Sequence, residues 1–458
     1  MEPLKVEEIL KATKGKLVNF DRQKDRIRGI STDSRTLKRG QLFVALRGLR
    51  CDGHTFTSEA FKRGAKLALV SKDLKIKKPF IKVKDTLKAL GDISCLYRTK
   101  FNVAVIGITG SNGKTTTKQL LSHLLASKFN VIASSASFNN LVGVPLTLVR
   151  IKKDTRIVVQ EMETNVLGGI KRLCDISHPY VGIVTNIGPT HLEFLKTEYG
   201  VFKEKSELLS SLPSGGFAVL NIDDGYFARL KQVSQAKRVI TFGVLKAADF
   251  KATKLEIKDD YLYFTLNSRF RIRLNTFFYK NIYNALAAIA VSVGVFDLKM
   301  KDVVRLLEDF DFLPLRAELV KIGNIRIIND SFNANPDSTK DALLTLKRMR
   351  AKRKLALLGD MLELGRSEEP FHRQVGNLCA ELDLDGLVCV GASSRFIAHG
   401  ALAKGMPSYK IIYCKNNKEA VKSLMNILKP FDALLVKGSR AMRLELVVEE
   451  LKHIHRDG

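Results

Sequence analysis

Gly107-Ile108-Thr109-Gly110-Ser111-Asn112-Gly113-Lys114-Thr115-Thr116 is the stretch whose reading decides the fold. It follows the apolar run 102–106 and precedes 118–125, where Leu120, Leu121, Leu124 and Leu125 recur at helical spacing. The context is therefore strand, loop, helix. Glycines in such a loop let backbone N–H groups turn toward a phosphate, the helix N-terminus adds partial positive charge, and Lys114 brings a full one. The Thr115 hydroxyl then faces a magnesium ion. Gly107 and Gly113 enclose five residues where the usual phosphate loop has four. Nucleotide binding is the reading adopted; a merely structural glycine turn is the alternative.

Working outward, residues 101–311 alternate strand and helix, which predicts a mostly parallel sheet covered by helices. A strand over 156–160 ends at Glu161, and one over 181–186 runs into Gly188-Pro189-Thr190-His191. Ligands in such sheets gather at the carboxyl ends of strands, so Glu161 and His191 are expected to converge on the side of Thr115. A carboxylate, a hydroxyl and an imidazole can then ligate a nucleotide-bound magnesium. Singly, a strand-end glutamate is as well explained as a solvated charge and a lone histidine as a structural residue. Asn139 and Asn140 precede Gly143-Val144-Pro145, and Asn281 and Asn284 lie in an apolar helix over 281–293. Such amides can read a substrate or an adenine edge, while helix capping accounts equally well for Asn281.

Residues 1–100 form a first unit, with a helix over 6–12 and strands over 28–31, 41–46 and 65–70. Between them sit Ser31-Thr32-Asp33-Ser34-Arg35 and Gly48-Leu49-Arg50-Cys51-Asp52-Gly53-His54, which either hold a polar ligand or only make turns. Residues 312–458 form a third unit, with strands over 325–328, 354–358, 386–390, 410–413 and 433–436 separated by helical stretches. That is a Rossmann-like pattern. It lacks the glycine fingerprint of a dinucleotide site, which argues against a nicotinamide cofactor.

The 458 residues suffice for two to four domains, and 45% hydrophobic with 27% charged content is that of a globular protein. No apolar run approaches the roughly 20 residues of a membrane span, and residues 1–14 carry acidic groups without a signal-like apolar core. A soluble intracellular protein is expected. The six cysteines are scattered without paired metal-ligand spacing and read as reduced, buried thiols. The net charge of +29 suits a polyanionic substrate, a nucleic acid or an anionic surface, but Lys and Arg are spread along the whole chain.

Taken together the motifs resemble the Mur ligases of bacterial cell-wall synthesis over nearly the whole chain. The loop Thr109 to Thr115 is similar to theirs rather than to the general phosphate loop. Thr32-Asp33-Ser34-Arg35, Phe43 to Leu46 and Asp52-Gly53-His54 resemble the family's nucleotide-sugar-binding domain. Asn329 to Ser338, Leu358 to Gly365 and Val436-Lys437-Gly438-Ser439-Arg440 resemble the branch that joins D-alanyl-D-alanine to UDP-N-acetylmuramoyl-tripeptide.

The resemblance implies three α/β domains: a small UDP-sugar-binding domain, 1–100; a central phosphate-loop ATPase domain, 101–311; and a C-terminal Rossmann-like domain, 312–458. It implies a cytoplasmic, monomeric, ATP-dependent amide ligase working through an acyl phosphate, with no nucleic-acid partner and no integral membrane segment. ATP would be held by Gly110, Ser111, Asn112, Gly113, Lys114, Thr115 and Thr116, with Asn281 beside the adenine, Arg316 on phosphate and Asp330 on the ribose. Two magnesium ions would be held by Thr115, Glu161, His191 and Lys205, the last carboxylated by carbon dioxide. Lys114, Lys205 and His191 would carry the chemistry. Thr32 and Ser34 fall at uridine-side positions, and Asn139, Asn140 and Thr164 near the sugar and peptide.

The chain departs from the family pattern at Glu163 and Gly169, where a glycine and a glutamate are usual, at Phe278 and Lys280 before Asn281, and at Asn329 and Phe332. Two other readings compete. One is a related ligase adding a diamino acid, although the Asp-Asn-Pro-Arg run of that branch is absent; the other is a basic ATPase that binds nucleic acid, although clustered basic and aromatic residues are lacking.

Overall fold

The computed structural model describes residues 1–20, 24–48, 51–74, 77–135 and 138–454; Leu49 and Arg50 of the first unit's glycine turn lie outside them. Among the described residues the chain is a mixed α/β structure built on three larger sheets.

The central sheet has nine strands, in the order Phe270–Leu274, Tyr261–Leu266, Phe250–Lys258, Arg238–Gly243, Phe217–Asn221, Val181–Val184, Ala104–Thr109, Ile157–Glu161 and Val131–Ala133. The last seven run parallel, and the first two add an antiparallel extension. Ala104–Thr109 lies between Val181–Val184 and Ile157–Glu161, and all three are buried along their length apart from the half-exposed Ala104. Such apolar runs are what a parallel sheet covered on both faces requires. Two helices cover one face: Lys114–Ala126, through Leu120, Leu121, Leu124 and Leu125, and Asn281–Gly294, through Ile282, Leu286 and Ile289. Each fully buried side chain of this kind contributes about 1.5–3 kcal/mol.

The extra residue in the glycine spacing has a structural explanation. Gly107 is not part of the turn; it pairs within the sheet with Gln160 and Gly182. A Cβ there would stand 2.8 Å from Leu208, so its glycine serves packing. The turn begins at Gly110, with φ +144°, and closes at Gly113, with φ +84°.

The C-terminal sheet has the order Glu318–Ile322, Ile325–Asp330, Ala433–Lys437, Lys354–Gly359, Gly386–Val390 and Ile411–Cys414, parallel except for the first pairing. The N-terminal sheet comprises Lys16–Val18, Phe80–Lys82, Leu67–Val70, Leu42–Val44 and Ile30–Ser31. Apolar clusters run across the sheets: Leu42 and Leu69 share one with Val105 and Met162, and Ile328 and Leu343 share another with Val184 and Leu220. All six cysteines are free; four are buried, whereas Cys51 is exposed and Cys95 partly so.

Candidate active site

Three strand ends and one helix start build the site. Gly110 can turn only without a side chain, because a Cβ would lie 1.9 Å from Thr185 Oγ1; at Gly113 it would lie 2.2 Å from Asn284 Oδ1. The loop is tied down by its neighbours. Thr185 Oγ1 donates to the Asn112 carbonyl at 2.6 Å, Asn186 Oδ1 accepts from the Asn112 N–H at 3.0 Å, and Ser111 Oγ bonds to both backbone groups of Gly188 at 2.9 Å. The helix then starts at Lys114, where the first amides lack intrahelical acceptors and carry the positive end of the dipole.

One cavity of about 1030 Å³ gathers the loop residues from Ser111 to Thr116 with Asn139, Glu161, Asn281, Arg316 and Asp330. Glu163, Asp337 and Lys437 line it too. Thr115 Oγ1 accepts from Arg316 Nη2 at 3.0 Å, and that guanidinium lies 3.8 Å over the Phe332 ring. Asp330 accepts from the Ala317 N–H at 3.1 Å and from Lys437 Nζ at 2.5 Å. Asn281 does not cap its helix; its amide donates to Thr276 Oγ1 at 3.0 Å, and its carbonyl accepts from Asn284 at 3.0 Å.

Glu163, one of the departures, is the hub of the cations. Its Oε2 is 2.6 Å from Lys114 Nζ, while Oε1 lies 3.3 Å from Lys205 Nζ and 3.2 Å from His191 Nε2. Burial alone would raise this carboxyl, but Lys114, Lys205 and His191 together hold it well below the usual range. Burial lowers the Lys205 amine from its ordinary value, against the pull of Glu163 and with the push of Lys114. For His191 burial also lowers the value, yet hydrogen bonds to Glu163 and Glu363 bring it above normal. His191 and Lys205 thus reach the cavity through Glu163.

The remaining sequence candidates are engaged elsewhere. Ser34 Oγ donates to Glu59 at 3.2 Å, and with Thr32 it belongs to the N-terminal unit, away from the phosphate loop's cavity. Asn140 accepts from the N–H groups of Val142 and Gly143, and Thr164 bonds to the Val166 backbone. Asn139, in contrast, donates to Glu161 Oε1 at 3.0 Å.

Magnesium needs hard oxygen ligands. Glu161 Oε2 is buried and accepts no hydrogen bond, its nearest charge being Lys118 Nζ at 3.3 Å; this carboxylate and the Thr115 hydroxyl line the same cavity and are the hard oxygen donors such an ion takes. Among the described residues, no three His, Cys, Asp or Glu side chains already stand as a metal-binding group. Lys118 escaped the sequence reading. Its signal was a lysine one turn beyond Lys114, on the face that Leu121 and Leu125 mark as inward.

Comparison with known proteins closes the question of kinship. The Mur ligase middle domain matches residues 108–292, the Mur ligase glutamate ligase domain 315–440, and the Mur ligase family catalytic domain 26–98. The UDP-N-acetylmuramoyl-tripeptide--D-alanyl-D-alanine ligase of Bacillus subtilis is 32% identical over 97% of this chain and 98% of its own length. The chain belongs to the Mur ligase family. The corresponding ligase of Escherichia coli is 32% identical over 92% of this Mur ligase and 93% of its own length. The Acinetobacter baumannii MurF structure superposes with a TM-score of 0.92 at 29% identity, covering 99% of both chains. MurF from Thermotoga maritima, solved in complex with ADP, gives 0.85 at 26% identity over 94% of this chain and 98% of its own.

Proposed function

We propose that this Mur ligase joins D-alanyl-D-alanine to UDP-N-acetylmuramoyl-tripeptide in the cytoplasm, using ATP and releasing ADP and phosphate, with the units 1–100, 101–311 and 312–458 as its three domains. The single observation that carries the proposal is the cavity that sets Lys114, Thr115 and Glu161 of the central unit against Arg316, Asp330 and Lys437 of the C-terminal one. Such a cavity takes a nucleotide at a junction between domains. The relatives' printed activity supplies the substrates.

The two reacting groups, a carboxylate and a triphosphate, are both anions, so the site must neutralise them before they meet. Lys114 and the helix N-terminus do this for the transferred phosphoryl group, and Arg316 does it from the opposite wall. Lys437 fixes Asp330 for a ribose hydroxyl, and Asn281 faces the adenine. Thr115 and Glu161 would hold one magnesium ion and His191 with a carboxylated Lys205 a second; bound magnesium supplies charge neutralisation and orientation of phosphate oxygens. The lowered Lys205 amine favours the neutral form that reacts with carbon dioxide. Carboxylation places an anion beside Glu163, so that pair then needs cations around it. Lys114, at 2.6 Å from Glu163 Oε2, must turn from that carboxylate to reach phosphate.

ADP release measured with UDP-N-acetylmuramoyl-tripeptide and ATP tests the proposal. D-Alanyl-D-alanine is expected to drive it and single amino acids are not. Equal turnover with a diamino acid, or stimulation by nucleic acid alone, would overturn it.

A further inference from the structure

One carboxylate in the nucleotide cavity has no use in the chemistry above. Asp337 is the second residue of the helix Pro336–Arg348, whose cap Asn335 donates from Nδ2 to Asn112 Oδ1 of the phosphate loop at 2.8 Å. From there its carboxylate overhangs Gly188; a Cβ on that glycine would meet Asp337 Oδ2 at 2.1 Å. Gly188 is itself bonded to Ser111 Oγ. Both ties put Asp337 at the mouth of the phosphate loop, beside Ser111 and Asn112.

Asp337 is also unengaged. Among the described residues it accepts no hydrogen bond and closes no ion pair, although it is half-buried and lines the cavity. The charges facing it are Asp341 and Lys340 on its own helix, Glu198 at the start of another, and Lys280 before the helix Asn281–Gly294. Lys280 is already paired with Asp341 at 3.4 Å. The other carboxylates lining the cavity are engaged, Glu163 with Lys114, Glu161 with Lys118 and Asn139, Asp330 with Lys437, Asp341 with Lys280, and Asp223 and Asp224 with backbone N–H groups, which leaves Asp337 as the carboxylate open to a protonated amine.

We propose that Asp337 binds the ammonium group of the incoming amine substrate and takes its proton before it attacks the acyl phosphate. This rests on the ligase reading above. An α-ammonium has a pKa near 8, so at neutral pH the nucleophile arrives charged and unreactive. Asp337 accepts one proton, leaving a neutral amine. The nitrogen lone pair forms the C–N bond, the acyl C–O bond to phosphorus breaks, and the second proton leaves nitrogen with the departing phosphate. Two protons lost from the ammonium are thus placed, one on Asp337 and one on phosphate. Burial together with Asp341 and Glu198 pushes the Asp337 carboxyl up to about 6, nearer to the amine it must deprotonate.

The test is Asp337→Asn in the full chain, assayed for each half of the reaction. The kcat/KM for D-alanyl-D-alanine should fall by about 100-fold or more. The KM values for ATP and the UDP-linked tripeptide should stay within about twofold, and tripeptide-dependent ADP formation without the dipeptide should persist. In the wild type, kcat/KM for the dipeptide should decline on the acid side with an apparent pKa near 6, and Asp337→Glu should restore part of the rate. A dipeptide kcat/KM within about threefold of wild type would overturn the proposal, as would equal loss of both half-reactions, which marks a structural role. If the ligase reading itself is wrong, the wild type fails with the dipeptide before any variant is made.

Discussion

Glu163 holds three cations on one carboxylate, and its removal should be felt in the fold before it is felt in catalysis. In Glu163→Gln the buried Lys114 and Lys205 lose their counter-charge, which costs about 3–5 kcal/mol by the measure of broken buried pairs. The sign with pH follows from the depressed carboxyl. Its contribution is fully present above the unfolded value of about 4.3 and disappears as pH falls through the folded value. Thermal melts should therefore separate the two proteins at pH 7, and the gap should narrow as pH falls below about 4 toward the depressed folded value; a gap of the same size at pH 7 and in strong acid contradicts the ion-pair account. The sequence marked position 163 as a departure but could not show that residues 114, 191 and 205 would surround it. That arrangement depends on two crossovers and a long helix, and no local pattern encodes it. Asn335 and Lys437 were visible only as members of motifs, for the same reason.

At the scale of elements, the phosphate loop was legible because everything it needs is local: an apolar strand, two glycines, a lysine and a helix. Its start was misplaced because Gly107 looks like a turn residue when nothing indicates that Leu208 packs over it. The antiparallel extension over 261–274 went unread, since its alternating burial lies in two short strands separated by an exposed turn. Gly113→Ala tests the loop as an element. It forces a Cβ to within 2.2 Å of Asn284 Oδ1 at φ +84°, so the helix start must shift. The expected cost is about 1–3 kcal/mol in stability. Nucleotide affinity measured by calorimetry should drop at least tenfold, and unchanged affinity would show that the loop geometry does not matter.

Across the whole molecule, the C-terminal unit closes on the central one through Asn112–Asn335, Arg316–Thr115 and Lys280–Asp341, and through Asp260 with Lys321 and Arg326. The separate units could be counted from the sequence, but these contacts join residues up to 223 positions apart and could not. A ligand seated between units stabilises both. A non-hydrolysable ATP analogue with magnesium at 100 times its Kd should add about 2.7 kcal/mol and raise the melting temperature. In Asn335→Ala that rise should shrink, because the C-terminal unit loses its tie to the loop; an undiminished rise would mean that the nucleotide is held by the central unit alone. No helix among the described residues is long and apolar enough to cross a membrane.

If ATP bound at Lys114 activates the tripeptide's carboxylate for attack by the dipeptide amine, an oxygen of that carboxylate must leave with the phosphate. The most direct measurement labels that carboxylate with oxygen-18 and follows the label through one turnover with ATP and D-alanyl-D-alanine. One labelled oxygen should appear in the inorganic phosphate, and the extended peptide should retain the other. Unlabelled phosphate, or phosphate released without a new amide bond, would contradict the account.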